Sequence, residues 1–254
     1  MVHFSGVTKS YRASGGQVNA VRDLNLNISA GEFVSVHGPS GCGKSTMLMA
    51  AGGMLRPSTG KVIINGQDLY AMGSRARARF RAKHIGFIFQ MFHLVPYLSV
   101  LDNVLLGYRA DASHGRRAVL RQFHCLRPPR DTGRRPANPH KTEQVTHKAG
   151  ELLKRLRLSH RAKHKPSQLS AGECQRTAIA RALINNPSLI LADEPTGNLD
   201  DENEVEVFEI LRDYHQQGGT VVVVSHGTVA NEYATHRIRM RDGRIEQEAF
   251  LNER

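Results

Sequence analysis

Two groups of residues in this chain could do phosphate chemistry. Gly38-Pro39-Ser40-Gly41-Cys42-Gly43-Lys44-Ser45 fits the pattern G-x-x-x-x-G-K-[ST], with Thr46 beside it. Glycines let the backbone curl until several N–H groups point at one anion, and a helix opening at Lys44 adds the positive end of its dipole. The Lys44 ammonium then serves as a mobile point charge for phosphate oxygens, and the Ser45 hydroxyl is a hard ligand for Mg2+. The second group is Asp193-Glu194, which closes the apolar run Leu189-Ile190-Leu191-Ala192. An acid at a strand end can hold Mg2+ through its water shell, so Asp193 is predicted to be a metal residue with Ser45. Glu194 is predicted to be the general base that orients and deprotonates a water, a role worth about 10²–10⁴-fold in rate. Each group has a plainer explanation alone: a glycine turn before an ordinary helix, or a strand end with two solvated acids. Their joint occurrence points to cleavage of a nucleoside triphosphate.

Such residues need strands to carry them and helices to cover the strands. Apolar runs predict strands over residues 33–37, 85–89, 189–192 and 220–225, and a looser alternation predicts one over 18–28. A strand over 61–65 ends in the turn pair Asn65-Gly66. Helical patterning covers 44–51, 74–83, 171–185 and 202–216, and both ends of 99–165. Strands alternating with helices imply an α/β fold with a mainly parallel sheet covered on both faces.

At 254 residues and 40% hydrophobic, the chain suits one large α/β domain, or one carrying a smaller lobe. No run approaches the roughly 20 apolar residues that span a bilayer. Met1-Val2-His3-Phe4-Ser5 lacks the basic start and apolar run of a secretory signal, which predicts a cytoplasmic protein. Cys42, Cys125 and Cys174 are widely spaced and odd in number, as expected of reduced thiols. Cys42 is either a reactive thiol at a helix N-terminus or a small buried filler.

Phosphate-loop enzymes are many, and the segment Leu169-Ser170-Ala171-Gly172-Glu173-Cys174-Gln175-Arg176 chooses among them. It resembles the signature of ABC ATPases, usually L-S-G-G-Q, with Ala171 in place of a glycine and Glu173 in place of glutamine. Gln90, Gly197-Asn198-Leu199-Asp200 and His226 stand around it in the order that family shows: phosphate loop, Gln loop, signature, paired acids, Asp loop, switch His. The resemblance implies a phosphate-loop NTPase fold of the ABC type. It implies a single domain over 1–254, with a core and an N-terminal antiparallel β part from 1–98 and 167–254, and a helical subdomain over 99–166 that carries a basic insertion near 116–147. The resemblance also implies ATP and Mg2+ as cofactors, with Gln90 sensing metal and water, His226 as the switch and Tyr11 stacking on adenine. Ser170, Ala171, Gly172 and Glu173, with Asp200, would meet nucleotide across a head-to-tail dimer holding two ATP. Thr196-Gly197-Asn198-Leu199-Asp200 and Phe89-Gln90-Met91-Phe92-His93-Leu94-Val95-Pro96 resemble the branch of lipoprotein-releasing, macrolide-export and cell-division ATPases. That branch implies a separate integral-membrane permease, export or extraction, and a place on the cytoplasmic face of the inner membrane.

The net charge of +12 sits in one segment: residues 108–166 hold 16 Lys+Arg against 4 Asp+Glu, and the remainder holds 19 of each. The concentration suits an anionic membrane surface or a solvated insertion. A non-transport ABC ATPase acting on nucleic acid is the rival reading, with a regulatory ATP switch as a third. Nucleic acid is disfavoured because Tyr108 and Phe123 are the segment's only aromatics, leaving little on which bases could stack.

Overall fold

The computed structural model describes residues 1–13, 16–108, 139–227 and 229–251. It forms two compact units, one of Met1–Met91 with Pro187–Arg254, the other of Phe92–Asn186.

The first unit is built on two sheets. The larger has the order β10-β9-β3-β8-β7-β6, from β3 (Phe33–His37), β6 (Ile85–Phe89), β7 (Leu189–Asp193), β8 (Thr220–Val224), β9 (His236–Arg241) and β10 (Arg244–Phe250). Five of its strands run parallel, and β10 returns antiparallel to β9. All of β8 is buried, as are the first four residues of both β3 and β7, which is why these stretches read as unbroken apolar runs. β9 alternates instead: His236, Ile238 and Met240 are buried while Arg239 and Arg241 face water. The smaller sheet is antiparallel, in the order β2-β1-β4-β5, from β1 (Val2–Ala13), β2 (Gly16–Ile28), β4 (Thr59–Ile64) and β5 (Gln67–Asp68). Asn65 and Gly66 both take positive φ between β4 and β5, the tight hairpin that their pair predicts. Helix α1 (Lys44–Ala51) touches strands of both sheets, namely β2, β4, β7 and β8. Helix α2 (Ser74–His84) packs on β6.

The second unit is helical. Helices α3 (Val100–Gly107), α4 (Pro139–Arg155) and α5 (Ala171–Leu183) pack on one another. Val104, Ala149, Leu153, Leu156, Ala178 and Ile179 are among the side chains buried there. Asn103 is completely buried and organises the preceding loop, accepting from Val95 N–H at 2.7 Å and donating to the carbonyls of Val95, Leu98 and Ser99. Arg181 donates to the carbonyls of His93 (2.6 Å) and Phe92 (2.8 Å), tying the start of the unit to α5. Two more helices complete the first unit, α6 (Asp201–Gln216) and α7 (Val229–Tyr233), with α7 lying against α6 and β3.

The expected class, a parallel core with an antiparallel N-terminal part, is the class observed. The boundaries differ. The units divide at residues 91/92 and 186/187, so the signature segment belongs to the helical unit, where α5 packs on α3 and α4. Residues 139–147 of the expected insertion form the first half of α4. Residues 116–138 of it lie outside the described residues, as does Cys125.

Candidate functional site

In the first unit the chemistry gathers at the ends of β3, β7 and β8. The loop from Gly38 to Gly43 leaves β3 and enters α1. Gly38, Gly41 and Gly43 have φ of 149°, 77° and 103°. A side chain at Gly38 would collide with the Met240 carbonyl, and one at Gly43 with the Ala20 carbonyl, so the loop is wedged between backbone on two sides. Pro39, Ser40 and Gly41 form an exposed tip. Lys44 is buried, and its ammonium donates to the carbonyls of Gly38 (2.8 Å) and Pro39 (3.0 Å). The charge is thus held inside the curl where an anion would sit. Thr46 is half-buried one residue beyond Ser45. Cys42 is only 5% exposed, with its sulfur 4.0 Å from Lys44 Nζ, and its N–H donates to the Pro39 carbonyl. The filler reading of Cys42 therefore holds over the reactive-thiol reading: the side chain packs inward.

Ser45 and Asp193 meet across 148 positions of sequence, the Ser45 hydroxyl donating to Asp193 Oδ1 at 2.9 Å. Burial pushes the Asp193 carboxyl above its ordinary value. The Ser45 hydrogen bond opposes that, the Glu194 charge adds to it, and Lys44 opposes it. Two converging oxygens, one on a half-buried acid in want of a counter-charge, suit a hard divalent ion such as Mg2+. Glu194 follows with φ of 47°, a left-handed conformation unusual for glutamate, and its N–H is anchored on the Val224 carbonyl at 2.8 Å. That twist turns its side chain to His226, whose Nε2 lies 2.8 Å from Glu194 Oε1. His226 is half exposed, so this carboxylate–imidazole pair opens to solvent.

The remaining predicted residues of this unit lie apart from that cluster. Gln90 is exposed just past β6; a side chain on Gly197 would run into its amide, and Asn198 donates to its carbonyl at 3.3 Å. Gln90 makes no hydrogen bond to Ser45 or Asp193 among the described residues. Asp200 caps α6, accepting from Asn203 N–H at 2.9 Å and Asn203 Nδ2 at 2.7 Å, and these bonds hold its carboxyl below the ordinary value. Tyr11 is 43% exposed on β1, with Lys9 Nζ 5.2 Å from its ring centre. Thr196, which the predicted site omits, donates to Glu204 at 2.9 Å and pins the loop between Glu194 and α6.

In the second unit Ser170 is the N-cap of α5. Its hydroxyl accepts from Glu173 N–H at 3.2 Å, and Glu173 Oε2 accepts from Ser170 N–H at 2.8 Å, a reciprocal capping box. Ser170 and Ala171 are exposed and Gly172 is buried. Glu173 Oε1 accepts from Arg161 Nε at 2.8 Å. Both Glu173 oxygens are thus engaged inside the unit, where the residue serves as a helix cap. The sequence held that signal, because Ser-x-x-Glu is the capping-box spacing. Cys174 is buried, and burial raises its thiol above the ordinary value, with Glu173 adding to the rise.

Among the described residues no helix is long and apolar enough to cross a membrane. The family model described as ABC transporter matches residues 21–197. The chain is 41% identical over 240 residues to an uncharacterized ABC transporter ATP-binding protein of Thermotoga maritima, spanning 94% of this chain and 91% of that protein. It is 36% identical over 250 residues to the macrolide export ATP-binding/permease protein MacB 2 of Aeromonas hydrophila subsp. hydrophila, spanning 98% of this chain and 34% of that longer protein. The dimeric structure of MJ0796, a bacterial ABC transporter cassette, is similar with a TM-score of 0.82 at 36% identity, over 100% of both chains. So is the dimeric post-hydrolysis state of that cassette bound to ADP and Pi, with a TM-score of 0.81 at 35% identity, again over 100% of both chains. With the family model over most of its length and these relatives, the chain belongs to the ABC transporter family as one of its ATP-hydrolysing cassettes.

Proposed function

We propose that this cassette drives a separate integral-membrane permease from the cytoplasmic face of the inner membrane, exporting or extracting its cargo from the bilayer. The observation that carries the catalytic half of this reading is the cluster of Lys44, Ser45, Asp193, Glu194 and His226 at adjacent strand ends. Lys44 and the N–H groups of Gly41 and Gly43 to Thr46 hold the β- and γ-phosphates of ATP, and Tyr11 packs on the adenine. Ser45 and Asp193 would hold Mg2+, with Gln90 just past β6 as its sensor, and the ion would supply charge neutralisation to the phosphates. Glu194 accepts a proton from a water whose oxygen attacks the γ-phosphorus. The bond from that phosphorus to the bridging oxygen breaks, leaving ADP and inorganic phosphate. His226 fixes the Glu194 carboxylate through its 2.8 Å contact. Ser170 and the amides of Ala171 and Gly172 at the start of α5 meet the γ-phosphate held by a second copy of the chain, and Asp200 faces the same interface.

The MacB relative supports the permease and the export direction, because its name joins an ATP-binding and a permease part in one protein for macrolide export. The MJ0796 cassette supports the dimer. The test is to purify the chain with the membrane proteins that accompany it and measure ATPase of the complex. A co-purifying permease that raises turnover supports the reading. Turnover that is indifferent to every membrane partner but stimulated by RNA would replace it with the nucleic-acid reading.

A further inference from the structure

The capping box of α5 has a second anchor. A capping-box glutamate reaches back to the N-cap N–H with one oxygen, which leaves the other for a further partner. Here Oε2 holds the Ser170 N–H while Oε1 is taken by the Arg161 guanidinium at 2.8 Å. The Glu173 side chain is 12% exposed and that of Arg161 34% exposed. Charge-assisted bonds of this kind are about twice as strong as neutral ones. His160 stands 3.9 Å from the same oxygen but is 66% exposed, so Arg161 is the closer and better shielded partner.

Arg161 is itself delivered from fixed backbone. Its N–H donates to the Leu158 carbonyl at 2.9 Å and its carbonyl accepts from His164 at 2.8 Å, while Leu158 is completely buried. A continuous path thus runs from the core at Leu158, through the Arg161 guanidinium and the Glu173 carboxylate, to the Ser170 N–H. Burial raises the Glu173 carboxyl, but the Ser170 backbone bond and Arg161 outweigh it, so the group lies below its ordinary value and stays an anion.

We infer that Arg161 is a positioning residue for Ser170: it touches no nucleotide, but by locking Glu173 it fixes how Ser170 and the opening turn of α5 are presented. The inference rests on the reading that this turn meets the γ-phosphate of a second copy. It also gives a reason for glutamate at position 173, since a neutral glutamine could close the capping box but would hold a guanidinium more weakly.

The test is a double-mutant cycle on the full-length chain, with steady-state ATPase, ATP affinity and thermal unfolding read for each variant. Arg161→Ala is expected to lower kcat by about tenfold, the worth of one hydrogen bond to a charged group, and to leave ATP affinity of the monomer unchanged. Arg161→Lys should recover part of the loss. Adding Arg161→Ala to Glu173→Gln should cost little more than Glu173→Gln alone, because the partner charge is already gone. Where Arg161→Ala does not fold, Arg161→Gln takes its place in the cycle. Parent kcat in Arg161→Ala, losses that add in the double variant, or a fall in kcat that merely tracks the fall in Tm and is not relieved by lysine, would each overturn the inference. Ser170→Arg separates the two levels. If it leaves turnover intact, the reading of the signature itself fails; if it abolishes turnover while Arg161→Ala does not, only the role of Arg161 fails.

Discussion

The two units secure their functional residues by different means. In the first, the contacts that define the site join distant parts of the chain: Ser45 to Asp193, Glu194 to Val224, and β3 to β8 and β9. In the second, the start of the signature turn at Ser170 is held from nearby, by Glu173 three residues on and, through it, by Arg161 nine residues back. The first arrangement is stiff because two sheets and a helix over-determine it. The second is a helix start braced by side chains, and can be adjusted one hydrogen bond at a time. Chemistry that needs fixed oxygens sits on the first unit, and the signature residues expected to engage a second copy sit on the second, with Asp200 joining them from the first.

The largest effect that tests this contrast is loss of the base. Glu194→Gln keeps the size of the side chain and spares Ser45, Asp193 and Lys44, so it should bind MgATP normally and lose turnover by about 10²–10⁴-fold. ATP-bound dimers should then accumulate, visible by light scattering. Turnover at the parental rate would remove Glu194 from the role of base.

A smaller effect is expected from Asn103→Ala. It deletes four hydrogen bonds of a fully buried side chain in the second unit and strands the Val95 N–H. The expected cost is about 2–3 kcal/mol, typical of leaving buried polar groups unsatisfied. Amide exchange should quicken in residues 92–107 and stay unchanged in β3, β7 and β8. Equal loosening of those strands would mean that the units are not separately held.

The smallest effect is a pH dependence in the Glu173 cap. Its folded pKa lies below the ordinary 4.5, so the stability it lends is complete above about pH 4.5 and is lost as pH falls through the lower folded value. Denaturant unfolding of the parent and of Glu173→Gln should differ by about 1 kcal/mol near neutrality, the excess of a charge-assisted hydrogen bond over a neutral one, and converge in acid. A difference that does not change with pH would show that charge at Glu173 contributes nothing.

What could be read ahead of the fold follows the same divide. The central strands and the phosphate loop were legible because burial on both faces leaves unbroken apolar runs, and a curled anion loop demands glycine at set spacings. Residues 33–37, 44–51 and 85–89 form the expected elements at the expected bounds. β9 escaped because His236-Arg237-Ile238-Arg239-Met240-Arg241 alternates charge with apolar residues at the sheet's less buried side, and β10 is mostly exposed. The Ser45–Asp193 bond and the Glu194–His226 pair were anticipated as roles, but their closeness is a property of strand order, which no local pattern encodes. Arg161 carried no local signal: nothing about an arginine nine residues before Ser170 announces that it reaches Glu173.

The position of β3 sets the moment at which the protein becomes an enzyme. Its two sheet neighbours, β8 and β9, lie about 190 to 200 residues further on: Val34 pairs with both Val222 and His236. Contacts so remote in sequence form late, because loop closure must be met before they stabilise anything. On the ribosome the phosphate-loop sequence emerges before its strand has a partner in the core sheet, which comes only with residues 220–241. Nucleotide binding therefore waits on residues far downstream: a nascent chain still short of Thr220 carries the glycines and the lysine, but not the strands that frame them.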